Sequence, residues 1–177
     1  MFTCSLSLLV ICAVKRCWRR GQEAILRNID QWLYEYGLSH QNRYNQIIHK
    51  FAVPVIVVSL LGILWSLPVF WASTVINWAS IFAAISLCLY LRLSRSLAVG
   101  MLFIVIPILT LFFWLNVEMD ITLWPAMVVL FVVSWIFQFI GHLIEGKKPS
   151  FLEDLQFLLI GPLWLLAMVY RRFRIKY

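Results

Sequence analysis

Charge is scarce in this chain. Only 13% of its 177 residues are Asp, Glu, Lys or Arg, where a soluble domain carries about a quarter. So little polar surface cannot cover a water-facing globule, and with 63% of residues hydrophobic the covering solvent must be lipid. Familiar catalytic signatures are missing as well. No G-x-S-x-G, P-loop, G-x-G-x-x-G or H-E-x-x-H occurs, which removes the hydrolase, nucleotide and zinc-protease chemistries those spacings serve. The four cysteines (Cys4, Cys12, Cys17 and Cys88) form no C-x-x-C pair, the pattern of reduced, incidental thiols rather than a zinc or redox centre. Residues 1–14 are apolar but lack a basic leader and a small-residue cleavage site, so they read as a short anchor or an extension, not a cleaved signal.

What is present is a series of apolar runs, at about 51–71, 74–91, 97–116 and 123–144. Each has roughly the 17–25 residues needed to cross the hydrocarbon core as a helix. A fifth, 151–170, is interrupted by Gly161-Pro162 and reads as a broken segment dipping into one leaflet. Ahead of them, residues 22–36 place Ile25, Ile29, Trp32, Leu33 and Tyr36 on one helical stripe, the pattern of a helix lying at the membrane interface. Gly37 is the expected stop of that helix and Ser39 the expected N-cap of the next. The fold class is therefore all-α: a single integral membrane domain over residues 1–177. Residues 1–20 form an extension of undetermined role, 22–36 the interfacial helix, and 40–171 a bundle of about four transmembrane helices with a membrane-dipping tail.

The net charge of +7 follows the runs rather than forming a nucleic-acid patch. Lys15, Arg16, Arg19, Arg20, Arg27, Arg43 and Lys50 precede the first run. Arg92 and Arg95 separate the second from the third, Lys147 and Lys148 follow the fourth, and the tail holds Arg171, Arg172, Arg174 and Lys176. The loop between the third and fourth runs carries only Glu118 and Asp120. Positive residues stay in the cytoplasm, so the N-terminus, both basic loops and the tail are expected there, in a bacterial inner membrane or an endoplasmic-reticulum-type membrane. The expected partners are the lipid bilayer and no nucleic acid, with a homo-oligomer left open.

That topology brings all three histidines, His40, His49 and His142, to one membrane level. Ser134, Gln138, His142 and Glu145 fall at spacings of 4, 4 and 3 and share a helical face, as do Asn42, Asn45 and His49. Intramembrane polar residues are costly and usually face the bundle interior. His40 lies half a turn away from His49 on a straight helix, so either the helix begins after His40 or the two are not co-ligands. Imidazoles with a carboxylate suit Fe(II) or Zn(II), and two His with one carboxylate is the non-haem Fe(II) oxygenase pattern. Two other readings stay open: polar stripes that only join helices in a non-catalytic scaffold or lipid-binding protein, or a haem bundle with two axial histidines.

Residues 29–54, IDQWLYEYGLSHQNRYNQIIHKFAVP, and 138–166, QFIGHLIEGKKPSFLEDLQFLLIGPLWLL, resemble the two signature blocks of the membrane 2-hydroxy fatty acid dioxygenase family. The resemblance implies an Fe(II)-dependent enzyme that takes a 2-hydroxy fatty acid and O₂ to the acid one carbon shorter and CO₂. It implies metal and catalytic roles for His40, His49, His142 and Glu145. Asn42, Asn45, Gln138, Arg43 and Lys147 are the candidates for substrate contact.

Overall fold

A computed structural model of the protein describes residues 28–38, 40–69, 75–146 and 157–177. These hold six α-helices and no strand: α1 Ile29–Leu38, α2 Arg43–Ser66, α3 Trp78–Leu93, α4 Arg95–Phe113, α5 Trp124–Ile144 and α6 Ile160–Arg172. Three of them, α2, α4 with its extension, and α5, are long and apolar enough to cross a membrane, and α3 is a shorter apolar helix.

The helix ends follow local chemistry. α2 starts where the Asn42 side chain accepts a hydrogen bond from the Tyr44 backbone N–H at 2.9 Å, so the cap is Asn42 rather than the expected Ser39. It stops at Ser66 because Leu67 is extended ahead of Pro68, the conformation a following proline imposes. α3 opens on a reciprocal capping box between Asn77 and Ser80. Ser94 ends α3 and caps α4 with its hydroxyl, so one extended residue turns the chain back on itself. α4 finishes in a π-helical turn, Trp114–Glu118, and α5 opens with Pro125 in its first turn, where a missing N–H costs nothing. α5 ends at Ile144, and Gly146, two residues on, has a φ of 75°, the left-handed stop that glycine adopts without strain.

α2 and α5 form the most extensive helix pair. They run antiparallel. At one end of the pair Gly141 sits against Asn45 and His49, and at the other Gly62 sits against Met127, where a Cβ would come within 2.6 Å of its sulfur. Small residues let membrane helices approach this closely.

α1 was expected to present its apolar stripe to the membrane surface. Among the described residues that stripe (Ile29, Trp32, Leu33, Tyr36) is buried inside the protein. Trp32 and Tyr36 pack on Phe157 with ring centroids 6.2 and 5.7 Å apart, and Tyr36 packs on Trp164 at 5.3 Å. The helix also runs through Gly37 to Leu38 instead of stopping there.

α6 packs against α2, α4 and the α3–α4 corner. Leu158, Leu159 and Pro162 line a small cavity with Val57, Leu61, Ala83 and Val105. Tyr90, one turn before the Ser94 corner, lines it too and donates its hydroxyl to the Leu159 carbonyl at 2.9 Å. At the far end of α6 Tyr170 donates to the Ser96 carbonyl at 3.1 Å, and the Ser96 hydroxyl donates to that of Lys176 at 3.0 Å. The segment is thus tied near the α3–α4 corner at both its ends. Gly161-Pro162 does not interrupt this helix. It sits in the first turn, and residues 151–156 of the expected run lie outside the described residues.

Candidate metal centre

The starts of α2 and α4 and the ends of α3, α5 and α6 meet at one end of the bundle, and the histidines gather there. Because α2 begins at Arg43, His40 is not bound to its helical phase. It sits on the short link after α1 and folds over the start of α2. His49 lies roughly 9 Å along α2, and His142 is in the last turn of α5. One ligand nitrogen from each of the three lies within 4.8 Å of the others. Ring centroids are 4.2 Å apart for His40–His49, 4.9 Å for His49–His142 and 5.7 Å for His40–His142. The residues are only 3%, 0% and 7% exposed respectively, so bulk water does not solvate them.

The protein sets the ring orientations. His40 Nδ1 donates to the Tyr36 carbonyl at 2.7 Å, and His49 Nδ1 donates to the Asn45 carbonyl at 3.2 Å. Each bond fixes the proton on Nδ1 and leaves the lone pair on Nε2. His49 Nε2 is buried with no hydrogen-bond partner, an expensive state for an imidazole with nothing to bind. A histidine that donates one ring N–H to a carbonyl and offers the other nitrogen inward is how metal-ligating histidines are held. Three imidazoles at this separation fit a borderline divalent ion such as iron or zinc. Tyr36 also stacks on His40, with ring centroids 4.3 Å apart, and Trp164 stands beside Tyr36 with its ring 5.6 Å from that of His40.

Glu145 is near but otherwise engaged. Its carboxylate accepts the backbone N–H of Gln41 at 2.8 Å, that of Asn42 at 3.0 Å, and the Asn45 side-chain amide at 2.9 Å. It therefore acts as an anionic cap at the N-terminus of α2, where the helix dipole favours negative charge. Burial alone would raise its pKa, but the Asn45 amide, the two backbone N–H groups and the neighbouring His40 outweigh that and hold it below the ordinary value. The three-residue cluster comprises the histidines without it, so the expected pairing of Glu145 with His142 on one ion is not the arrangement found.

The other candidates divide. Asn42 and Asn45 serve the cap and the clamp. Gln138, one turn from His142, is 7% exposed and its Oε1 has no hydrogen-bond partner. Arg43 is exposed at the first residue of α2, and Lys147 lies outside the described residues. The sequence reading missed Tyr36 and Trp164 as the walls around His40, and Gly141, where a Cβ would run into Asn45 Oδ1 and come within 3.3 Å of His49. A glycine immediately before a site histidine on a span was the available signal for the last.

A bundle of apolar helices with three histidines buried at one end defines a membrane protein with an internal cluster that could hold a metal ion. The sequence comparisons give that class a family. Residues 26–173 match the Mpo1-like family, described as 2-hydroxy-palmitic acid dioxygenase Mpo1-like, and the chain belongs to it. It is 28% identical over 133 residues to 2-hydroxy-palmitic acid dioxygenase MPO1 of Saccharomyces cerevisiae, covering 74% of this chain and 73% of the yeast protein. No solved structure matches it.

Proposed function

We propose that the protein is an Fe(II)-dependent 2-hydroxy fatty acid dioxygenase that releases C1 as CO₂ and leaves the acid one carbon shorter. The observation that carries this reading is the inward-facing histidine triad, with His49 Nε2 buried and without a hydrogen-bond partner, in a chain of this family. His40, His49 and His142 would hold the ion. Bound iron supplies a site for O₂ and open positions for the hydroxyl and carboxylate oxygens of the substrate. The reaction balances without another reductant: C2 rises from the alcohol to the carboxylic acid level and C1 to CO₂. That removes four electrons, and O₂ accepts four.

Several features of the chain favour this substrate. Three neutral imidazoles leave a divalent charge uncompensated in a low-dielectric setting, where an anionic ligand is strongly preferred. The substrate carboxylate provides that charge, whereas Glu145 is spent on the α2 cap. Gln138 Oε1 offers an acceptor for the 2-hydroxyl proton. Tyr36 and Trp164 keep water from His40 and hold its ring in place. Three ring nitrogens this close also leave little room for a porphyrin between two of them, which disfavours the haem reading. The basic residues at the histidine end and the acidic Glu118–Asp120 loop support a cytoplasmic site.

The test is turnover. Purified protein reconstituted anaerobically with Fe(II), then given 2-hydroxypalmitic acid and ¹⁸O₂, is expected to yield the acid one carbon shorter carrying ¹⁸O, together with CO₂. A protein that loads iron but yields no chain-shortened acid would overturn the assignment.

A further inference from the structure

Beside the triad lies a second feature with its own chemistry. A cavity of about 520 Å³ runs between α2 and α4 and is floored by α6, within the roughly 300–1,000 Å³ range of small-molecule sites. Its walls are apolar: Val57 and Val58 from α2, Met101, Ile104 and Ile108 from α4, and Leu165 from α6. Two cations line it as well. Lys50 stands near the start of α2 and Arg172 at the end of α6, both on the histidine end of the bundle. Ile104 and Val169 remain 44% and 49% exposed, so the trough opens sideways toward lipid.

Apolar walls with a guanidinium and an ammonium at one end are complementary to an amphiphile with one anionic head and one chain. Long basic side chains lay their stems along apolar surface and keep the charge at the polar boundary, and a guanidinium forks onto a carboxylate. From Lys50 to Val58 the α2 wall is about 12 Å long, enough for the first half of a long acyl chain, the remainder lying in the bilayer. The trough also adjoins the histidine site. Val53, one helical turn beyond His49, lines it while packing toward Gly161 and the Tyr36 hydroxyl.

We propose that this trough is a docking site for one fatty acid, its carboxylate between Lys50 and Arg172 and its chain along the facing sides of α2 and α4. A fatty acid, rather than another anionic amphiphile, is chosen on the strength of the function proposed above. The site would take such an acid from the membrane and hold it one side chain away from the triad.

Photolabelling tests this apart from catalysis. A sixteen-carbon fatty acid with a mid-chain diazirine and no 2-hydroxyl is added to the protein in neutral phosphatidylcholine nanodiscs, and the labelled residues are mapped by mass spectrometry. Labelling is expected within 53–58 and 101–108 and to be displaced by palmitate. Ile104→Trp, which fills the trough, should cut it several-fold. The Lys50→Gln/Arg172→Gln pair should weaken palmitate competition roughly tenfold, the scale of two partly exposed charge contacts. His142→Ala should leave labelling intact even where turnover is lost, so a failed metal reading and a failed docking site give different results. Labelling spread over the lipid-facing residues of α5, or equal displacement by phosphatidylglycerol, would overturn the proposal, the latter by assigning the trough to bilayer lipid.

Discussion

Within the triad, two of the three imidazoles are held by something other than the ion they would bind. The Tyr36 carbonyl sets His40 and the Asn45 carbonyl sets His49, while Glu145 ties the link carrying His40 to the end of α5 through the N–H groups of Gln41 and Asn42. Glu145 is thus a positioning residue: its carboxylate touches backbone and amide, and the geometry it protects belongs to its neighbours. Loss of a supporting group of this kind typically costs 10–100-fold in metal affinity. Glu145→Gln is therefore expected to retain one metal ion per chain at saturating metal while its dissociation constant rises roughly tenfold, as read by competition with a chelator. Complete loss of binding at saturating metal would instead make Glu145 a ligand.

At the scale of elements, the site depends on α1 being docked. Its stripe reads from the sequence as plainly amphipathic, but a period of 3.6 does not distinguish lipid from protein as the covering surface. The cover is Phe157 and Trp164, more than a hundred residues away, and no local pattern announces that pairing. His40 shows the same limit. Helical phase alone separates it from His49, and only the Asn42 cap, which starts α2 two residues after it, frees it to join. The polar stripe of α5 and the position of His142, by contrast, were legible from spacing. The spacing of Glu145 from His142 gives a shared face but does not reveal the N–H groups at the start of α2 that its carboxylate meets. Trp32→Glu follows from the docking. Trp32 is buried, and losing such a ring costs about 3–5 kcal/mol where the site cannot collapse. The variant should melt at lower temperature and lose turnover, whereas Asp30→Asn on the exposed side should match the parent protein in both. Equal behaviour of the two would remove the docked α1 from the account.

For the whole molecule, cations and histidines share one end and the acidic loop marks the other. Arg43, Arg92, Arg95, Arg171 and Arg172 all sit at helix ends on the triad side, and Asp120 sits in the turn between α4 and α5. With α6 ending on the triad side and that side proposed as cytoplasmic, a single cysteine at Lys176→Cys should react with a membrane-impermeant reagent only from the cytoplasmic side, and one at Asp120→Cys only from the opposite side. Labelling of both from the same side would break the proposed topology. The central claim, that His40, His49 and His142 form one metal centre, is tested most directly by metal content. The parent protein, purified from cells grown with adequate iron, should carry close to one iron per chain with no Soret band. His49→Ala and His142→Ala should each carry almost none while remaining monodisperse and helical in detergent. Iron retained at full stoichiometry in both variants would contradict the account and leave the histidines as hydrogen-bonding groups between helices.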